Sequence, residues 1–204
     1  MPDPLAQDAA HEDVAGLLGA LRERRETVGM GVREAARLTA LSPGTIRNMD
    51  AADRASRLRS AGRYAGVLGM HLVPLPVEGP IERLPFTGIP QQPNEFWFVS
   101  PRALAYAPGA RDSDRDVIGW LRVVGVTIVV TRNEQRLSSV EAAQAWGVSP
   151  KTLRRLENLS AWSSLASAAT VLRHTGHRIA VEDDTVPFPV PYWYVVAHRK
   201  AAQA

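Results

Sequence analysis

The stretch SSVEAAQAWGVSPKTLRRLE, residues 138–157, decides how the rest of the chain is read. Ser139 to Ala145 spells a short helix with Ala143 on its inner face, small enough to let a second helix approach closely. Gly147 follows where a tight turn needs a residue at ease in the left-handed conformation. Val148 plugs the core beneath the turn. Ser149 is a good N-cap, and Pro150 takes the first helical position, where a missing N–H costs nothing. Leu153 and Leu156 share one face at i, i+3 spacing, while Lys151, Arg154 and Arg155 point the other way. A short helix that is apolar inside and basic outside, set across a tight turn on another helix, has the form that enters a DNA major groove.

The same pattern occurs twice. Sliding the sequence by 107 positions aligns it without a gap from Arg25 to Leu72. Glu34-Ala35-Ala36 falls on Glu141-Ala142-Ala143. Ser42, Pro43, Thr45 and Arg47 fall on Ser149, Pro150, Thr152 and Arg154. Leu58, Ser60, Ala61 and Gly69 fall on Leu165, Ser167, Ala168 and Gly176. With small length changes, Phe96-Trp97-Phe98-Val99 resembles Tyr192-Trp193-Tyr194-Val195, read here as a short aromatic strand closing each copy. Such self-similarity points to duplication of one structural unit.

Proline placement divides the chain the same way. Of 15 prolines, eight lie between Pro74 and Pro108, and none lies in 5–42, 109–149 or 151–186. Proline removes a backbone donor and breaks helices. The expected organisation is a first helical copy over 1–75 and a Pro-rich connection with a short strand over 76–111. A second helical copy over 112–182 and a C-terminal strand and tail over 183–204 complete it. One conflict stands inside the second copy: Val123 to Thr131 is rich in β-branched residues and favours strand by propensity. The repeat alignment favours helix.

Composition narrows the function classes. Apolar residues make up 45% of the chain, enough for a buried core. There are no cysteines, which excludes disulfides and thiolate metal sites and suits a reducing compartment. The longest apolar run is far shorter than the roughly 20 residues that span a bilayer, and the N-terminus lacks a signal-peptide pattern. A cytoplasmic, nucleoid-associated protein without membrane contact is expected. The net charge of +3 is compatible with nucleic acid without demanding it. No nucleophile, base and orienting acid form a triad, and no Gly-rich phosphate loop follows a strand. His174 and His177 lack a third ligand at metal-site spacing. The expectation is no enzyme activity, no cofactor and no metal. Leu84-Pro85-Phe86-Thr87-Gly88 matches the sortase sorting pattern, without the context that signal needs.

The two copies resemble the Xre/Cro-type helix-turn-helix family, which includes phage repressors. The resemblance implies a mainly α fold: two tandem five-helix bundles of lambda-repressor type, each followed by its aromatic strand in a Pro-rich segment. It implies structural ion pairs between the first and third helices of each copy, Arg25 with Asp50 and Arg132 with Glu157. It implies phosphate contacts from the N-caps Ser42 and Ser149. The base-reading residues it implies are Gly44, Thr45, Arg47 and Asn48 in copy one, and Lys151, Thr152, Arg154 and Arg155 in copy two. Arg and Lys favour guanine and Asn favours adenine.

Copy one departs from the family pattern. Ala40 stands where glycine is usual, at an expected cost of roughly 1 kcal/mol. Gly44 offers no side chain to a base. Copy two is the stronger expected reader, with Arg54, Arg57 and Arg59 of copy one as further phosphate contacts or plain surface charge. Family members bind palindromes as symmetric dimers, with half-sites roughly 34 Å apart. Two fused copies supply both halves from one chain, as a monomeric pseudo-dimer or weak homodimer, and the aromatic strands would pair across the pseudo-twofold axis. The expected function is sequence-specific binding of double-stranded DNA by a transcriptional regulator, a repressor of phage, plasmid or mobile-element type. The rival expectation is an antitoxin or regulator-antagonist whose partner is a second protein, a toxin or a regulator.

Overall fold

The computed structural model describes residues 4–53, 55–81, 83, 112–158 and 163–186. Copy one contributes helices α1 (Pro4–Thr27), α2 (Val32–Thr39), α3 (Pro43–Asp50) and α4 (Leu58–Val67), then strand β1 (Met70–Pro76). Copy two contributes α5 (Asp112–Glu134), α6 (Ser139–Ala145), α7 (Pro150–Glu157) and α8 (Leu165–His174), then β2 (His177–Asp183). Among the described residues the protein is helix-rich with two short antiparallel strands.

Local signals account for most element boundaries. Ser42 and Ser149 cap α3 and α7 through the backbone N–H groups of Thr45 and Thr152, both at 3.0 Å. Pro43 and Pro150 sit at the start of these helices. Ser138 and Glu141 form a reciprocal capping box at α6, whereas Gly31 caps α2 without a side chain. The chain turns through left-handed residues at matching positions: Gly29 and Arg136, Ala40 and Gly147, Gly69 and Gly176. The strain expected at Ala40 is present, with φ 53°. The β-branched run of copy two is helical within α5. There Leu121, Val124 and Ile128 are buried, so the amphipathic period and its packing override propensity.

The two strands pair antiparallel with Val73 opposite Ala180 at the centre. These two residues are counterparts under the 107-residue offset. Arg57 and Ser164, also counterparts, form an isolated bridge, flanked by Leu58 N–H to Ser163 O (3.0 Å) and Leu165 N–H to Ser56 O (2.9 Å). A residue paired with its own repeat counterpart lies on a twofold axis, so both pairs mark the pseudo-twofold axis of the molecule. α4 and α8 start together at the bridge and end together at the ribbon.

Around this axis the copies interlock. α1 packs on α8 and β2 of the other copy, and α5 packs on α4 and β1. Within each copy the first helix meets the third. One hydrophobic core therefore holds residues of both copies, from Ala10, Leu18, Ile46 and Tyr64 to Ile128, Leu153, Leu172 and Ile179. The ribbon contributes Leu72 and Ile179 to that core from one face, while Val73 and Leu75 pack with Val123 and Ala180 on the other.

The architecture differs from the expectation of two five-helix bundles in series. Among the described residues each copy has four helices rather than five. The first helices cross over, which is a closer union than two bundles in series. The strands that pair across the axis are β1 and β2, immediately after the last helices, and β1 begins inside the expected first helical copy and ends at Pro76, where the Pro-rich connection was expected to start. Val77 N–H bonds Gly176 O and Asp184 N–H bonds Gly69 O. By strand alternation Pro74 and Pro76 then occupy positions whose nitrogens face away from the partner, where proline removes no ladder bond. The aromatic segments 96–99 and 192–195, the Leu84–Gly88 pattern, Arg54 and Trp162 lie outside the described residues.

Candidate nucleic-acid interface

The exposed faces of α3 and α7 are built alike. In each, two inward residues anchor the helix, Ile46 and Met49 in one and Leu153 and Leu156 in the other, all essentially inaccessible. Anchoring this side turns the other outward. Ser42, Gly44, Arg47 and Asn48 are exposed and Thr45 is half-buried. Ser149, Lys151 and Arg154 are exposed, with Thr152 and Arg155 half-buried. Each N-cap serine also shares a hydrogen bond with the threonine hydroxyl three residues on, at 2.9 Å in both copies. Among the described residues, no acid lies within ion-pair distance of Arg47, Lys151, Arg154 or Arg155.

The two ion pairs form. Arg25 Nη2 donates to Asp50 Oδ2 at 3.0 Å, and Arg132 Nε donates to Glu157 Oε1 at 2.6 Å. Each arginine also donates to a backbone carbonyl in the turn after its helix, Met30 O at 2.9 Å and Leu137 O at 3.0 Å. Each thus ties the first helix both to the C-terminal end of the third helix and to the turn before the second helix. Burial disfavours the Arg25 cation, but Asp50 and Tyr64 outweigh it and its pKa lies above the ordinary value.

Tyr64, which the sequence reading missed, completes the pair in copy one. It is fully buried, and its hydroxyl donates to Asp50 Oδ1 at 2.8 Å. Burial first, and then this bond, push its pKa above the ordinary phenol range, so it remains a donor. Its counterpart is Val171, which has no donor. Another missed contact is Arg173 of α8 to Asp13 of α1, bidentate at 2.6 Å on both arms and mostly buried. Charged residues 160 positions apart give no sequence signal of contact.

Beside α3 lies an open cleft lined by Leu41, Thr45, Asn48, Asp53, Arg57 and Ser60, among others. The structure thus brings Thr45 and Asn48 next to the bridge that marks the axis. Arg59 lies in the first turn of α4, half-buried. Trp146 is buried in the core. His177 is buried and its Nδ1 lies 2.8 Å from Thr175 O; burial lowers its pKa, so the neutral ring is favoured. Among the described residues no group of three or more His, Asp or Glu could hold a metal ion, and no helix is long and apolar enough to cross a membrane.

Compared with protein-family models, with curated proteins and with solved structures, the chain matches none.

Proposed function

We propose that the protein is a sequence-specific double-stranded DNA-binding transcriptional regulator of the helix-turn-helix class, built as a single-chain pseudo-dimer. The observation that carries this reading is the pair of serine-capped helices, α3 and α7, presenting unpaired cations on matching faces about one pseudo-twofold axis. In this reading α2–α3 and α6–α7 are two helix-turn-helix units of Xre/Cro, lambda-repressor-like type, occupying 1–75 and 112–182. The Ser42 and Ser149 caps hold phosphates, and the outer faces read base edges in two successive major grooves. Copy one offers Thr45, Arg47 and Asn48, and copy two offers Lys151, Thr152, Arg154 and Arg155. The site read is therefore an asymmetric pair of half-sites. Repression by occlusion of a promoter is the proposed output, in the cytoplasm and without enzyme activity or cofactor.

Gly44 supports a second reading. Without a side chain at the start of α3, copy one is weak as a reader and fits a module turned to protein contact, as in an antitoxin or regulator-antagonist. Selection of bound duplexes from random DNA at near-physiological salt separates the two. The DNA reading expects an enriched two-part motif with unlike halves about one helical turn apart. Weak, salt-sensitive binding without enrichment would contradict it and favour protein contact.

A further inference from the structure

The long first helices end in register under the 107-residue offset, α1 at Thr27 and α5 at Glu134, and the two strands match end to end. Position can therefore be compared with position, and the two crossings differ in kind. Ion pairs hold α1 to copy two at two levels. Asp13 receives both arms of Arg173 from α8 at 2.6 Å, and its carboxylate is almost fully buried. Further along α1, by about 16 Å, Arg24 reaches Asp183 of β2. That pair is 3.2 Å long. For the crossing of α5 onto copy one, the matching positions hold Trp120 with Gly66 and Thr131 with Pro76, none of them charged. Thr131 is buried, and its hydroxyl has no hydrogen-bond partner among the described residues.

Arg24 and Arg25 are neighbours in sequence, and their charges go to different copies. Arg25 holds Asp50 at the end of α3 at 3.0 Å, while Arg24 holds β2 of copy two. α1 is thus a strut. Asp13 and Arg24 fix it to copy two, and Arg25 fixes α3 to it. α7 has the matching tie to its own first helix through Arg132 and Glu157, but at the positions compared that helix has no charge to carry the tie onward to copy one. In the DNA-binding reading, on which this inference rests, both halves of a duplex are engaged together only where the offset between α3 and α7 matches the spacing of the half-sites. We propose that Asp13 and Arg24, with their partners Arg173 and Asp183, are positioning residues that fix this offset and so set how strictly the protein discriminates half-site spacing. Ion pairs suit the task because they are directional. A bidentate Arg–carboxylate pair fixes an angle as well as a distance, whereas hydrophobic contact is non-directional.

The test uses the full chain and its Asp13→Asn, Arg24→Thr double variant. Each is bound to the duplex obtained by selection and to versions with one base pair added or removed between the halves. Either change moves one half-site by about 3.4 Å and turns it by about 35°. The unaltered protein should bind the altered spacings more weakly by about ten-fold or more, because only one half is then engaged. The variant should keep both half-site preferences and lose most of the spacing penalty, to about three-fold or less. Should the double variant melt too early to bind, Arg24→Thr alone takes its place, since that pair is half-exposed and threonine is what copy two carries there. A variant that weakens equally on all three spacings, or that keeps the full spacing penalty, overturns the proposal and leaves DNA binding standing. So does an unaltered protein that is indifferent to spacing. If the unaltered protein selects no duplex, both readings fall.

Discussion

Under the 107-residue offset α3 and α7 carry the same serine cap, the same proline, the same threonine and the same first arginine. They differ at two outward positions: Gly44 and Asn48 in one stand where Lys151 and Arg155 stand in the other. The buried sides have also diverged. Copy one supports its ion pair with Tyr64, where copy two has Val171, and it turns from α2 through Ala40, where copy two has Gly147. The backbone plan tolerates these exchanges because the constraints are local. A cap needs one hydroxyl, a left-handed turn needs one permissive residue, and an ion pair needs both charges. What the two copies share is therefore the device that positions a helix, and what they do not share is what that helix displays.

The largest effect is expected from breaking the ion pairs. Glu157→Ala leaves the half-buried Arg132 without its charge partner and should cost about 1.5–3 kcal/mol of stability by denaturant unfolding. Asp50→Ala should cost about 1 kcal/mol more than that, because the Tyr64 hydroxyl loses its acceptor as well. Equal losses at the two sites would show that Tyr64 adds nothing to copy one.

On the DNA side, Arg155→Ala should weaken binding to the selected duplex by about 1–3 kcal/mol and relax preference at one base pair. Asn48→Ala in copy one should relax a different position. A uniform loss on every sequence would make Arg155 a phosphate contact. A smaller effect follows from the turns. Ala40→Gly should stabilise the protein by roughly 1 kcal/mol and Gly147→Ala should destabilise it by a similar amount, both read from melting. No gain from Ala40→Gly would contradict the left-handed conformation.

The pH response should also be one-sided. The neutral form of His177 is favoured by burial, so its folded pKa lies below the unfolded value of 6.5. The folded state then binds fewer protons in that range, and stability is fully present above pH 6.5 and falls as pH drops through the folded pKa. Its counterpart in copy one is Met70. The change His177→Met should remove this component, and an unchanged stability profile between neutral and mildly acidic pH would argue against it.

Much of this was legible because it is local. Caps, the turn glycine, the inward leucine pairs and the strain at Ala40 each depend on residues within one turn of chain. The Arg–acid pairs were legible only through family resemblance and the matching charges of the two copies. What escaped is long-range. The crossing of α1 onto α8 rests on partners such as Asp13 and Arg173, which no periodicity connects. Tyr64 looks like any aromatic core residue until its hydroxyl is seen to reach Asp50. β1 was hidden by Pro74 and Pro76. Prolines argue against strand unless the hydrogen-bonding direction is known, and a two-stranded ribbon leaves half of the nitrogens facing outward.

The most direct measurement erases the difference between the outward faces of α3 and α7. Gly44→Lys together with Asn48→Arg gives α3 the outward residues of α7. A Cβ at Gly44 would meet only Ser42 Oγ, at 3.6 Å, so the helix can accept the change. If two faces about one axis read two half-sites, duplex selection with this variant should convert an asymmetric motif into a palindromic one, each half matching the former copy-two half. A motif left unchanged, with copy one's half still present or still blank, would contradict the account.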